Sequence, residues 1–591
     1  MSTIRDPAAA SAASDLKIPH ALALLIITLA ALPLYLICLG TGDANAMMEL
    51  FNLVPVREAF RDGHWLMPTL NGIPRLEKPP LPVWIPGGLA MLFHSDGLWI
   101  VRLPSAILGV LTCWATYGIG CLTSRDRRVG LFAALALAVM LVFIRQARLA
   151  SYDIYSTAFI ILGFFGLLAA IQTRRLWWLW AVFGGAALGL AALSKGPVFL
   201  AVMIPFGIWL LIYHRKNPRM WITLAIGFLT GLGTFVPWLL AVSNQHENAQ
   251  GAWTVWIGQL FHYSDSPDEN DTRWYYLAMV AWVFPWTPAL IAGLVLPFLP
   301  SKSDPAPTPQ ERRARWLFWL ILVVGLILLT LPHDKKQRYA LQQFPFAALL
   351  IAMVWQEFSR LRSSEPIEAA AKVLLAVQSL MFILMGFVIA ILVPLVVIST
   401  PVPPWQDTTW TFSQDLAVLK PGLVILTPVG WGLIAIALVA TGVALWRWQF
   451  ARRFDYAFAA YSAGAWLLMF GVTWAYFGGE GYQDSEFRIP SQQLVQASGG
   501  KPIYCLSGDI PWLPVLYYAN TDFPEQTPDQ LQKIANSTTG PLYVLTRDES
   551  PWRNELNQIA AATHRQVQTL DRLNDAHFLQ TLFMLAPTGQ N

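Results

Sequence analysis

Charge is what this 591-residue chain has least of. Asp, Glu, Lys and Arg make up 13% of it, where a soluble protein carries about a quarter. With 55% hydrophobic residues it has too little polar surface to coat a water-soluble particle of its size. Cysteine is as scarce: Cys38, Cys113 and Cys121 fall in apolar segments and Cys505 lies alone in the polar tail, which leaves no disulfide framework. No His/Cys cluster with metal-ligand spacing supports a dedicated metal site. The formal charge of +4 is too small to point to nucleic acid. No internal repeat is visible, which counts against an inverted-repeat transporter. Residues 1–19 are polar, with Arg5 and Lys17. The apolar segment after them lacks a small-residue cleavage site, so an uncleaved first helix is expected rather than a signal peptide.

What the chain has in abundance is apolar runs of about 20 residues, each long enough to cross a bilayer as a helix. They fall near 20–40, 99–123, 129–145, 153–172, 177–193, 196–213, 221–243, 275–298, 315–332, 338–355, 370–398, 422–447 and 457–477. The expectation is a polytopic α-helical membrane protein of about thirteen transmembrane helices. Loops such as Arg125/Arg127/Arg128, Arg174/Arg175 and Arg215/Lys216/Arg219 carry more Lys and Arg than those between them, which puts them and the N-terminus inside. An odd number of spans then leaves the C-terminal tail outside.

Two stretches break the pattern. The first outer loop, about 41–97, is half polar; Met47, Leu50, Phe51 and Val54 recur at i, i+3, i+4 and i+7. That spacing predicts an amphipathic surface helix over 44–54 with a bend at Pro55. In the tail, KPIYCLS (501–507), GPLYVLTR (540–547) and FLQTLFML (578–585) read as strands and PEQTPDQLQKIAN (524–536) as a capped helix. The chain therefore divides into a membrane domain, 1–478, and a small α/β periplasmic C-terminal domain, 479–591.

The outer face holds the residues that could do chemistry. Lys78, Lys195, Arg273, Lys335, Lys336 and Arg338 all fall beside span ends on that side, where positive charge is disfavoured. Together they suit an anionic headgroup, since Lys and Arg are the usual partners of phosphate; singly, snorkelling explains a cation at a helix end. Asp43 and Asp153 face the same side. Each by itself reads as a helix cap, but a carboxylate beside a cationic phosphate site suits a general base. In RLEKPPLPVW (75–84), Pro79 and Pro80 hold the preceding residues extended and present Glu77 and Lys78 on a stiff strut. A surface ion pair is the plain alternative, and a divalent cation between Glu77 and Asp43 is another. Trp is plentiful, and Trp99, Trp177, Trp178, Trp238, Trp282 and Trp286 near span ends read mostly as interfacial anchors.

DGHWLMPTLNGIPRLEKPPLPVW (62–84), RLPSAILG (102–109), ARLASYDIYSTA (147–158), LSKGP (193–197) and KKQRYALQQFP (335–345) occur in that order. Together they resemble the bacterial branch of the protein mannosyltransferase family, best known for the aminoarabinose transferases of lipid A. The resemblance covers the first 350 residues or so. It implies the C-type glycosyltransferase fold in a bacterial inner membrane, working as a monomer without a required cofactor. It also implies transfer of a sugar from a polyprenyl-phosphate donor to lipid A or another glycolipid or glycoconjugate at the outer face. The family's acidic positions correspond to Asp43 and Asp153, its EKPP residues to Glu77 and Lys78, its lysine between two middle spans to Lys195, and its Lys-and-Tyr pair to Lys335 and Tyr339.

There are departures. Counting back without gaps from Gly63-His64-Trp65 lands on Met48-Glu49, so Glu49 stands in reserve to Asp43. Pro82 and Val83 replace the aromatics that follow EKPP. The arginine expected near Leu260–His262 has no match, and Arg273 is the substitute. The rival function, a transporter or flippase for polyprenyl-linked sugars, would put charges within the spans, and this chain has few there.

Overall fold

The structure is a computed structural model that describes residues 18–44, 46–75, 78–124, 126–245, 272–299, 306–332, 335–360, 366–399, 423–424, 426–451, 454–480, 487–509, 511–575 and 578–587. Among these residues nine helices are long and apolar enough to cross a membrane, or up to eleven if each of two bent pairs counts as one span. His20–Leu36 and Leu81–Phe93 are shorter apolar helices. The outward faces explain the composition. Helix Lys372–Val396 has a mean hydropathy of 2.8, yet only 33% of its best window is buried, and Phe387, Ile391 and Leu395 lie exposed. A contiguous surface of that kind is at home against lipid.

Two of the expected straight spans are broken. Arg127–Ala138 and Leu141–Arg148 meet at 69°, and Tyr275–Trp282 and Thr287–Phe298 meet at 118°. Pro285 has no N–H to carry the second helix onward. At the first break the Leu141 N–H turns to the Phe284 carbonyl, 3.2 Å away, so each break satisfies the other. The span expected from 338 opens instead as 3₁₀ turns, Gln337–Gln343, before helix Phe344–Ser359.

Helices Tyr152–Gln172 and Trp177–Lys195 form a tight antiparallel pair. A Cβ on Gly166 would lie 2.7 Å from the Gly184 Cα, closer than any side chain tolerates. The short connection returns the chain so that the start of one helix sits beside the end of the other. That brings Asp153 to Lys195.

In the first loop the surface helix runs Met47–Asp62, continuing past Pro55 rather than stopping at 54. Proline leaves the carbonyl four residues back without its helical partner. That carbonyl, Phe51 O, accepts instead from Arg75 Nη1 at 2.6 Å and from the Tyr152 hydroxyl at 3.4 Å. A small hairpin follows, β1 (Thr69–Leu70) against β2 (Ile73–Pro74).

Beyond residue 487 the chain forms a five-stranded sheet of β3 (Ile503–Leu506), β4 (Glu525–Gln526), β5 (Leu542–Arg547), β6 (Arg565–Asp575) and β7 (Phe578–Pro587), ordered β4-β3-β5-β7-β6. β3 is parallel to β4 and β5; β7 is antiparallel to β5 and β6. β3, β5 and β7 fall where the apolar runs placed them. The capped helix is Pro528–Ser537, with Thr527 and Gln530 closing a capping box. β6 and helices Arg488–Ala497, Leu513–Ala519 and Trp552–Ala562 complete the domain. The sheet packs on the first loop: the Asn71 amide and the Phe523 backbone exchange hydrogen bonds of 2.8 and 2.7 Å, Arg61 meets Asp522 at 2.6 Å, and Leu50, Leu53 and Val83 share an apolar cluster with Tyr517, Phe523 and Leu545.

Candidate active site

Asp153 stands in the first turn of Tyr152–Gln172, 5% exposed. Its Oδ1 is ion-paired with Lys195 Nζ, and its Oδ2 lies 3.4 Å from Arg338 Nε. Lys195 ends its own helix, and the unfavourable left-handed backbone there falls on Gly196, at φ +77°. Tyr339 lies under both cations: Lys195 Nζ is 4.0 Å and Arg338 Cζ 5.2 Å from its ring centroid. These four residues, with Ser156, Thr157, Val198 and Gln342, line a small cleft of about 10 Å³. Two cations face one carboxylate. Arg338 is the more open of the two, its side chain 24% exposed against 13% for Lys195, and a guanidinium has five N–H donors to share. The arrangement can hold an anion and keep a carboxylate beside it.

The other candidates lie elsewhere or are differently engaged. Lys335 is buried, 3% exposed, at the start of the segment that carries Arg338 and Tyr339. Lys78 is half-buried, its N–H toward Arg75 O at 3.5 Å. Asp43 is half-buried, and its Oδ2 accepts from the Phe487 N–H at 3.3 Å. Glu49 is fully buried: Arg102 binds both its oxygens at 2.8 Å, and the Ala150 N–H adds a bond of 2.9 Å. A carboxylate so occupied holds structure. Arg273 is exposed in the turn before Tyr275. Glu77 lies outside the described residues, as do Leu260–His262. Among the described residues no three His, Cys, Asp or Glu side chains gather to hold a metal, and Asp43 is the one described carboxylate of the pair suggested for a cation.

Several residues that shape the site gave no functional signal in the sequence. Arg102 lies in RLPSAILG and looked like part of an apolar span; besides Glu49 it donates to Leu39 O at 3.0 Å. Asn52 ties the Pro82 and Ala150 carbonyls together at 3.1 and 3.0 Å. Arg148, only 2% exposed, donates to Leu34 O at 2.8 Å and to Ile37 O, so it caps the last carbonyls of the first helix. Two tryptophans expected at the interface are interior. Trp286 is 0% exposed against Phe458 and Tyr461, and Trp238 donates to Leu66 O at 2.9 Å. Outside the spans, burial pushes the Glu58 carboxyl above its ordinary value, against the lowering effect of bonds from Thr69 and Asn71.

Residues 77–241 match the dolichyl-phosphate-mannose-protein mannosyltransferase family. A Proteus mirabilis protein named undecaprenyl phosphate-alpha-4-amino-4-deoxy-L-arabinose arabinosyl transferase 2 is 24% identical over 401 residues, 66% of this chain and 67% of its own length. A relative of nearly the same name from Pectobacterium carotovorum is 24% identical over 50% of this chain and 52% of its own. The fold is shared with ArnT from Cupriavidus metallidurans, solved bound to undecaprenyl phosphate: TM-score 0.69 and 16% identity, over 95% of this chain and 97% of that one. The matched segment and these relatives make the chain similar to the protein mannosyltransferases and the aminoarabinose transferases, and the membrane fold is shared with a member of the latter.

Proposed function

We propose that the chain transfers a sugar from a polyprenyl-phosphate carrier, undecaprenyl phosphate by likeness to its relatives, to an acceptor at the outer membrane face, lipid A or another glycoconjugate. The observation that carries this reading is the cleft where Asp153, Lys195, Arg338 and Tyr339 meet. In transfer the acceptor oxygen attacks the anomeric carbon. The bond from that carbon to the carrier phosphate breaks, and its electron pair goes to the phosphate oxygen. Lys195 and Arg338 stabilise the charge that develops there, so no acid need protonate the leaving group. Lys78 and Lys335 belong to the same phosphate-holding set. A hydroxyl acceptor gives its proton to a carboxylate, Asp153 or Asp43. An acceptor that is a lipid phosphate is already nucleophilic, and the carboxylate then orients it.

The same reading includes thirteen spans, a cytoplasmic N-terminus, a periplasmic sheet domain from about 479, and a monomer as the working unit. It routes no step through a metal, and chelation with EDTA is expected to leave turnover within about twofold. The deciding experiment incubates purified protein with radiolabelled undecaprenyl-phosphate aminoarabinose and lipid A in detergent. Label appearing in lipid A supports the reading, and label that stays on the carrier with every acceptor tried refutes it. Detergent removes the membrane partition, so a flippase could not produce this signal.

A further inference from the structure

The side chains that line the cleft fall into two chemical sets. Asp153 and Ser156 are three residues apart on one helix and so share a face; Tyr339 and Gln342 are three apart on a 3₁₀ segment, where such residues eclipse. Asp153 and Tyr339 belong to the charged set with Lys195 and Arg338. Ser156 and Gln342, with Thr157, add the neutral polar groups of the lining. Gln342 is 1% exposed, yet neither its Oε1 nor its Nε2 has a hydrogen-bond partner, and the Ser156 Oγ, 3% exposed, is unpartnered as well. Desolvating a carboxamide without partners is costly. Two such groups lining one cleft mark a place where a ligand supplies what the chain does not.

The chemistry of the pair selects the ligand. A carboxamide offers one donating and one accepting end, and a hydroxyl does both. A phosphate accepts only and would leave the Gln342 carbonyl unsatisfied; a cation would take the oxygens and leave the Gln342 amide N–H groups unsatisfied. A sugar hydroxyl or amino group both donates and accepts, and it matches.

We propose that Gln342 and Ser156 form a neutral subsite that grips a hydroxyl or amino group of the transferred sugar, beside the cations that hold the carrier phosphate. The assignment rests on the transferase reading above and adds to it the residues that sense the sugar. Specificity then arises in two stages. The charged set takes any polyprenyl phosphate, and the neutral set rewards the one that carries the right polar group.

The test compares two probes on the full chain in detergent: undecaprenyl phosphate alone, and undecaprenyl phosphate bearing 4-amino-4-deoxy-L-arabinose or mannose. Gln342→Leu keeps most of the volume and removes both polar ends; Ser156→Ala removes one oxygen and carries the test if the first variant fails to fold. Both are expected to weaken the better-held sugar-bearing lipid, Gln342→Leu about tenfold, since hydrogen bonds in a buried site are lost without replacement. The bare carrier should bind within about twofold of wild type. Equal weakening of both probes would make Gln342 a structural residue, and unchanged binding of both would overturn the subsite. So would a wild-type protein that holds sugar-bearing lipid no better than bare carrier. A wild type that binds neither probe would bring down the transferase reading and this subsite with it, a result distinct from the other three.

Discussion

Two buried carboxylates lie close along the path from the first loop to the membrane, and they are built from the same parts. Glu49 is paired with Arg102, and Asp153 with Lys195 and Arg338. The difference is in what else touches them. Glu49 has both oxygens occupied by one guanidinium and a backbone N–H besides, and it is fully buried. Asp153 lines a cleft together with both of its cations. A saturated pair fixes geometry, here the surface helix on the turn before Asp153. A pair that lines a cleft can exchange its partner for a ligand. The two also depend on each other, because the Ala150 N–H that Glu49 holds is three residues from Asp153.

The largest effect expected is on turnover. Asp153→Asn should lower it by about 100-fold or more, the range of a lost base or orienting carboxylate. The same variant should bind undecaprenyl phosphate at least as tightly as wild type, since it leaves Lys195 and Arg338 without their internal counter-charge. Retained turnover, or weakened carrier binding, in Asp153→Asn would erase the distinction between the two carboxylates.

Glu49→Gln should act on assembly. It strands the buried Arg102 charge, and breaking a buried pair in this way costs about 3–5 kcal/mol. The thermal midpoint in detergent should fall sharply, and added undecaprenyl phosphate should not restore it. A variant that unfolds normally but turns over slowly would move Glu49 into the chemistry, in place of Asp43.

The cations come next. Lys195→Ala and Arg338→Ala should each weaken carrier binding at least about tenfold, because a charge-assisted contact is worth roughly 1.5–3 kcal/mol. Arg215→Ala, at the opposite end of its helix, should leave binding unchanged. Equal losses would leave only general attraction between a basic protein and an anionic lipid.

The smallest effect concerns Glu58, a third buried carboxyl, held by the Thr69 hydroxyl and by the Asn71 N–H at 2.7 Å. Burial raises its folded pKa above the ordinary value, so the folded state binds the proton more tightly than the unfolded one. The stability this contributes is present below the ordinary carboxyl pKa and is lost as pH rises through the raised value. Relative to Glu58→Gln, the wild-type thermal midpoint should therefore decline across that window. A midpoint difference that does not change with pH would show that the carboxyl is ionised alike in both states.

The spans were legible in the sequence because hydropathy is a local sum: about twenty apolar neighbours announce a membrane-crossing helix whatever the rest of the chain does. The strands β3, β5 and β7 were legible for a related reason, as short apolar runs bounded by turn residues. Lys195, Arg338 and Asp153 stood out as charged residues at the ends of greasy segments, and resemblance joined Tyr339 to Lys195 and Asp153. Their meeting in one cleft is a tertiary fact, set by the glycine-mediated approach of two helices and by a 3₁₀ segment where a straight span was expected. Arg102, Asn52 and Gln342 were invisible because nothing in a one-dimensional pattern separates a polar residue that pairs across the fold from one that faces water. Pro55 shows the limit best. The sequence determined that the Phe51 carbonyl would lose its helical partner; only the folded chain, by bringing Arg75 and Tyr152 to that carbonyl, decided that the helix would continue.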